Sequence, residues 1–316
     1  MRDKPRVYIA CPTHDDRLST GTARALWCNP SRTMERYAET ANFSLTPTNC
    51  NALLCNCLNL MPSYDFDLMA IVHSDVAPPP FWLDTLYREM QVHQADFVSA
   101  CIAIKTEQGL VSTAIAQSLD DYDVFTRLTV AQVRHSTFPT TFDINMAMNA
   151  LERLPEPLTI YDVPRRALLC NTGLCLFNIK KLDPSKIYFN DPSLIRWHAD
   201  GGWRPYTEPE DWFFSRKWQE AGLKVVATTA LDVQHKGIAA WGTTDVTGEP
   251  RDPLKFPANA NERRTNQAAD HGDHHGASDG LGKAELLDQR PVGELGRIPE
   301  GSERRAERAA GVTADG

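Results

Sequence analysis

The chain has 316 residues, with 42% hydrophobic and 23% charged side chains and a formal net charge of −8. That length suits one large domain or two modest ones, and the composition is ordinary for a globular protein with a packed core. The negative balance argues against tight nonspecific binding to a nucleic-acid backbone, and no apolar run reaches the roughly 18–20 residues that span a bilayer.

Met1 to Arg6 is polar and runs straight into a strand-like segment. No signal peptide is visible, and a cytoplasmic protein without a membrane span is expected. Val7-Tyr8-Ile9-Ala10-Cys11 is a short apolar run ending at Pro12-Thr13, the pattern of a buried strand. Phe43-Ser44-Leu45 predicts a second short strand, and Asn49 to Leu60 a helix stopped by Pro62. Leu68 to Val72 is continuously apolar, which suits a central parallel strand covered on both faces. Pro79 to Val92 reads as a helix with Pro in its first turn and an apolar stripe at Phe81, Trp82, Leu86 and Met90. Phe97 to Ile104 is a further apolar strand. Leu119 to Pro164 mixes acidic and aromatic residues and gives no clear period. Leu168 to Asn178 is strand-like; Trp212 to Ala221 is a helix closed by Gly222, followed by a strand from Leu223 to Thr228. This alternation predicts an α/β fold with a mainly parallel central sheet flanked by helices, over about residues 1–250.

Composition changes after Arg251. Residues 251–316 are rich in Gly, Pro, Ala, Asp, Glu and Arg and lack aromatics after Phe256, so a polar, mostly disordered C-terminal tail is expected. The tail's His271, His274 and His275 read as part of a solvated tract. The eight cysteines show no Cys-x-x-Cys spacing and sit mostly in apolar segments, the usage of reduced thiols filling a core.

Ligands of open α/β sheets bind beyond the carboxyl ends of the strands, which directs attention to the polar clusters there. Pro12-Thr13-His14-Asp15 follows the first strand, His73-Ser74-Asp75 follows Leu68 to Val72, and His235 follows Leu231 to Gln234. Glu208-Pro209-Glu210-Asp211 opens the helix near Trp212. A carboxylate at 75 can ligate a hard divalent cation that also grips a diphosphate, and an imidazole at 235 can add a nitrogen ligand, which manganese accepts better than magnesium. The plain alternatives are a helix N-cap for Asp75 and a surface histidine at 235. Lys105 to Thr113, with a cation, a glycine and hydroxyls, suits a contact loop over a ligand. Trp197, Trp203, Tyr206 and Trp212 precede or join the Glu-Asp segment and could stack on a sugar or serve the core.

Taken together, four blocks in order resemble GT-A glycosyltransferases, especially the family 2-like group. Asp65 through Pro79 resembles the DxD region: an apolar strand, then His73-Ser74-Asp75, a hydrophobic residue, Pro and a helix. Val7 to Thr13 resembles the opening strand and its nucleotide-binding turn, and Asn171 to Phe177 the small-residue turn and strand under the acceptor site. Glu210-Asp211-Trp212 through His235-Lys236-Gly237 resembles the Glu-Asp helix, the next strand and the terminal His-Lys-Gly. The blocks span most of residues 5 to 240. His73 stands where the family has its first acid, and Cys50 stands before Asn51 in place of the arginine of an Arg-Asn pair.

The resemblance implies a Rossmann-like nucleotide-diphospho-sugar transferase fold and a divalent ion, Mn2+ or Mg2+, held by Asp75 and His235. It implies a nucleotide-sugar donor, a UDP-sugar first, against Pro12, Thr13, His14, Asp15, Asn51, His73, Ser74 and Lys105. Asp211, with Glu210 second, is implied as the base that deprotonates the acceptor hydroxyl, giving inversion. Thr172, Gly173, Trp203 and Trp212 are implied at the acceptor, a saccharide or a hydroxymethylated DNA base. Two rivals stand beside it. A nucleotidyltransferase would use similar carboxylates but usually needs a Gly-rich, basic loop after the first strand, which this chain lacks. A noncatalytic nucleotide-sugar-binding relative is suggested by His73.

Overall fold

A computed structural model of the chain describes residues 4–105, 109–116, 125–154, 166–198, 202–237 and 240–242. The chain divides into two units, Met1–Gln267 and Ala268–Gly316, and the polar tail expected from residue 251 lies outside the described residues.

In chain order the first unit opens with β1 (Arg6–Thr13), α1 (Thr20–Ala23) with a following π-turn, β2 (Glu35–Asn42) and α2 (Thr46–Tyr64). Next come β3 (Leu68–Val72), β4 (Val76–Ala77), α3 (Trp82–His93) and β5 (Phe97–Ala100). The middle holds β6 (Leu110–Ala116), β7 (Phe125–Thr129), α4 (Val130–Arg134), β8 (Thr141–Phe142) and α5 (Ile144–Leu151). Then follow β9 (Ala167–Leu169), β10 (Leu174–Phe177), β11 (Ser193–His198) and β12 (Gly202–Thr207). The described residues close with α6 (Glu210–Glu220), β13 (Val225–Thr228), β14 (Gln234–Lys236) and β15 (Ala240–Gly242).

Seven strands form the central sheet in the order β2-β1-β3-β10-β5-β13-β8. β1 is parallel to β2 and β3, β5 is parallel to β13, and β10 runs antiparallel between β3 and β5. Five strands therefore point one way, with β10 and β8 reversed. The expected mixed α/β architecture with a mostly parallel sheet is present. Because each strand places successive side chains on opposite faces, the sheet has two cores. Tyr8, Ala10, Met69, Ile71, Cys175 and Phe177 pack with Leu53 and Leu54 of α2 and Phe214 and Trp218 of α6. Val7, Ile9, Ala70, Val72, Val98 and Leu176 pack with Trp82, Leu86 and Met90 of α3. Helices thus cover both faces, which is why β3 reads as an unbroken apolar run.

Several elements differ from the sequence reading, each for a physical reason. Phe43 to Leu45 is a loop; the second strand is β2, a polar edge strand that Tyr37 anchors by stacking on Tyr8 at 5.5 Å, with the Tyr8 hydroxyl donating to Glu39 at 2.6 Å. α2 starts three residues before Asn49 and carries Pro62 in its last turn, ending at Asp65, whose left-handed φ of 47° caps it. α3 starts at Trp82 rather than Pro79, because a residue before proline is pushed out of the helical region and Pro78, Pro79 and Pro80 succeed one another. Leu168 to Asn178 is two strands in different sheets: β9 pairs with β6, whereas β10 enters the main sheet. Phe97 to Ile104 leaves the main sheet after Ala100 and bridges to Val111 through Ala103.

All eight cysteines are unpaired, six of them buried. Burial pushes the Cys11 and Cys101 thiols up to about 12, so neither is a thiolate at neutral pH. No helix among the described residues is long and apolar enough to cross a membrane.

Gly21 of α1 lies against β4, where a Cβ on it would meet the Ala77 Cβ at 2.3 Å. Gly21→Ala must push α1 off the segment that follows Asp75, and we expect a loss of about 1–3 kcal/mol in thermal or urea unfolding.

Candidate functional site

The five co-directional strands bring their carboxyl ends to one edge. The reversed β10 contributes its amino end there, so Asn171, Thr172 and Gly173 join the loops after β1, β3 and β5. His73 N donates to the Gly173 carbonyl at 2.9 Å, fixing the two turns together. After β3 the chain makes a tight turn, Val76 N to the His73 carbonyl at 3.0 Å, which puts Asp75 at its crest.

His235 arrives by strand pairing. β14 runs antiparallel to β4 with His235 opposite Val76, and Lys236 N donates to the Asp75 carbonyl at 2.7 Å. His235 Nδ1 lies 3.0 Å from the Ala103 carbonyl, which can only accept, so Nδ1 carries a proton. Nε2 lies 3.5 Å from Asp75 Oδ2; protonated, it faces that carboxylate as a cation, and in the neutral ring it offers a lone pair. The Lys105 ammonium bonds that same Oδ2. Burial pushes the Asp75 carboxyl up, but His235 and Lys105 outweigh it and hold the group well below the usual carboxylate range.

A cavity of about 190 Å³ opens beside this pair, lined among others by His73, Arg127, Asn171, Gly173, Asp211, Trp212 and His235. Asp211 stands in the first turn of α6, where its Oδ1 accepts from the Trp212 backbone N–H at 2.8 Å. Burial, and then the charge of Glu210, push Asp211 up to about 7 against the opposing pull of Arg127. Glu210 is raised too, by burial first and then by the charge of Asp191. Burial lowers His73 to about 4 despite Asp75, so its imidazole is neutral at physiological pH. Two buried polar atoms of the lining lack partners: Asn171 Oδ1 and His73 Nε2. Such orphans are rare in folded proteins and mark atoms available to a ligand.

The expected site residues divide into three groups. Asp75, His235, Lys105, His73, Gly173 and Asp211 converge at this edge, with Glu210 adjacent in α6. His14 is exposed, 3.3 Å from the Thr46 hydroxyl, and close enough to act electrostatically on His73 and Glu210. A second group serves the fold. Pro12 and Thr13 are buried at the end of β1, with the Thr13 hydroxyl donating to the Ala41 carbonyl at 3.2 Å. Ser74 lends its carbonyl to Ser19 N and the Thr22 hydroxyl. Thr172 is fully buried. Asn51 departs from its expected nucleotide contact, because both ends of its amide bond the Phe189 backbone at 2.8 and 2.9 Å. Asn49 instead faces the first turn, donating to the Thr13 carbonyl at 2.6 Å with its Oδ1 left unpartnered.

The third group consists of residues whose surroundings limit the expected role. Trp212 lines the cavity, but Arg127 stacks 4.4 Å from its ring and Phe125 abuts it edge-on at 4.6 Å, so it is wall rather than open platform. Its Nε1 donates to the Ser112 carbonyl at 3.0 Å. Trp203 sits 68% exposed on β12, paired in register with Trp197, and is not part of the cavity lining. Asp15 is exposed and bonded to the Arg17 backbone N–H at 3.2 Å. Of the loop from Lys105 to Thr113, residues 106–108 lie outside the described residues.

Arg127 and Asn171 were not singled out from sequence as site residues. Arg127 lies on β7, inside the stretch that gave no clear period, and its stacking on Trp212 and its bond to the Val111 carbonyl place it at the cavity.

Among the described residues, no group of three or more His, Cys, Asp or Glu is arranged around a metal position. Asp75 and His235 nevertheless fit a two-point site. A lone pair and a carboxylate oxygen facing each other at 3.5 Å suit a shared cation, and ligand bonds of about 2.0–2.2 Å can bridge that span. The Ala103 carbonyl on Nδ1 is the outer partner that metal-ligating histidines ordinarily have.

No family model and no curated protein matches the chain. Among solved structures it is similar to A197 from STIV, with 13% identity, 73% of this chain and 86% of that chain covered, and a TM-score of 0.40. That likeness is too remote to carry fold or function. What the fold and the site define is a mixed α/β protein with a cleft, lined by apolar side chains and a few polar ones, at the carboxyl edge of a mostly parallel sheet.

Proposed function

We propose that this chain is a metal-dependent glycosyltransferase of the GT-A type, moving a sugar from a nucleotide-sugar donor to an acceptor hydroxyl with inversion. One observation carries the reading: Asp75 Oδ2, from the turn after β3, and His235 Nε2, from β14, meet at 3.5 Å, and His235 lines the same cavity as the perturbed carboxylate of Asp211. A bound Mn2+ or Mg2+ would supply positive charge for the departing diphosphate. Asp75 and His235 hold that position, and Asp211 receives the acceptor proton. With a pKa near the working pH, Asp211 is basic enough to take the proton and still substantially ionised. Arg127 and Asn171 offer a donor and an acceptor to the sugar hydroxyls. The donor of first choice is a UDP-sugar, and the acceptor a saccharide or a hydroxymethylated DNA base.

The test is release of nucleoside diphosphate from a panel of nucleotide sugars, using the full chain with Mn2+. One donor is expected to be turned over, with the activity removed by chelator, and Asp75→Asn is expected to weaken Mn2+ binding by about 10- to 100-fold. Pyrophosphate release from a nucleoside triphosphate would move the reading to a nucleotidyltransferase. Donor binding without turnover would instead favour a noncatalytic relative.

A further inference from the structure

Asp75 Oδ2 has two claimants, His235 Nε2 at 3.5 Å and the Lys105 ammonium. Because His73 stands where the resembled turn has its first acid, this one carboxylate must serve both. A carboxylate paired with an ammonium is neutral, and a divalent ion added to that pair would leave an excess of positive charge in a partly buried place. Lys105 can leave. Its side chain is one-third exposed, and Asp75 is its only ion-pair partner among the described residues. The chain just before it is held, since Ala103 is bridged to Val111, and Ile102 and Ile104 line the cavity. The ammonium on its flexible stem can therefore swing while the backbone stays in place.

We propose that Lys105 exchanges partners: it holds Asp75 before a divalent ion binds, yields the carboxylate to that ion, and then pairs with the donor's diphosphate. This rests on the reading of Asp75 and His235 as the ion-binding pair. Its consequence is thermodynamic. Lys105 opposes the ion when the site is empty and assists the diphosphate only once released, so ion and diphosphate strengthen each other's binding by the same factor. A lysine that merely stood nearby would weaken the ion and help the diphosphate to the same extent whichever came first. Its removal would leave their mutual enhancement unchanged.

The experiment is calorimetric titration of the full chain with Mn2+ alone, and with Mn2+ in the presence of saturating inorganic pyrophosphate. It compares wild type, Lys105→Met and Asp75→Asn. Lys105→Met is expected to bind Mn2+ alone about three- to tenfold tighter, the order set by losing one partly exposed ion pair and one nearby charge. The enhancement given by pyrophosphate should shrink by a similar factor. Unchanged enhancement, or unchanged affinity for Mn2+ alone, overturns the exchange. If Asp75→Asn binds Mn2+ as wild type does, the ion-binding pair itself is wrong. Loss of binding in Asp75→Asn with unaltered enhancement in Lys105→Met removes the lysine exchange and leaves the pair standing.

Discussion

Asp211→Asn is expected to lower turnover by about 10²–10⁴-fold, the range that a positioned general base contributes, and at the same time to stabilise the protein above neutral pH. Both effects come from one cause. Burial and the charge of Glu210 raise the Asp211 carboxyl to about 7, so the folded state holds a proton that the unfolded chain, at the ordinary carboxylate value, has already released. Between those two values unfolding releases a proton, and stability falls as pH rises through the window. Asparagine fills the same space with no charge to bury. At pH 8 the variant should gain on the order of 1–2 kcal/mol, or roughly 2–8 °C in Tm, and at pH 4 the gap should close. In wild type, log kcat/KM should climb with pH and level off above about 7. Glu210→Gln should cost less activity. Retention of more than a tenth of wild-type turnover by Asp211→Asn would remove Asp211 as the base.

Two parts of this site were legible in sequence because each follows an apolar run. Asp75 comes after Leu68 to Val72, because a strand buried on both faces announces itself by composition and delivers its next polar residue to the sheet edge, and Lys105 comes after Cys101 to Ile104; His235 instead lies inside β14 and reaches the edge by pairing with β4. Arg127 has no such signature. Its strand, Phe-Thr-Arg-Leu-Thr, belongs to the small sheet β7-β6-β9, and the guanidinium is placed at the cavity by tertiary contacts, a stack on Trp212 and a bond to the Val111 carbonyl. The exchange of Asn51 for Asn49 follows from the start of α2. Two helical positions differ by about 200° around the axis, so one asparagine faces β1 and the other faces Phe189.

Fold elements obey the same logic. β2 escaped notice because an edge strand can be polar throughout, and its register is set by Tyr8, Tyr37 and Glu39 rather than by an apolar pattern. The run from Leu168 to Asn178 looked like one strand because both halves are equally buried. The crossing between sheets depends on Asn171, whose Nδ2 donates to the Ala100 carbonyl at 2.8 Å while its own carbonyl accepts from the Ser99 hydroxyl at 2.7 Å. Such side-chain brackets leave little trace in hydropathy.

The entry to α6 carries the second large effect. Glu208 is fully buried and bonds Arg216 through both carboxylate oxygens, at 2.8 and 2.7 Å, and Arg216 also reaches Glu220. Glu208 N donates to the Pro192 carbonyl at 3.2 Å, so this residue ties α6 to the segment before β11 just ahead of Glu210 and Asp211. Glu208→Ala leaves a guanidinium with little access to water and one partner fewer, and should cost about 3–5 kcal/mol, lowering Tm by roughly ten degrees or more. Replacing both partners, Glu208→Leu with Arg216→Met, removes the buried charges together and should recover most of that loss. Turnover separates the two roles. If the pair only stabilises the fold, the double variant regains activity along with Tm. If it also fixes the first turn of α6, the double variant is stable yet slow, because Asp211 is no longer held at the cavity. The position of the pair, two residues before the helix and in its second turn, favours the second outcome. A double variant with both wild-type Tm and wild-type kcat would show that Asp211 is placed by Trp212 and Arg127 alone.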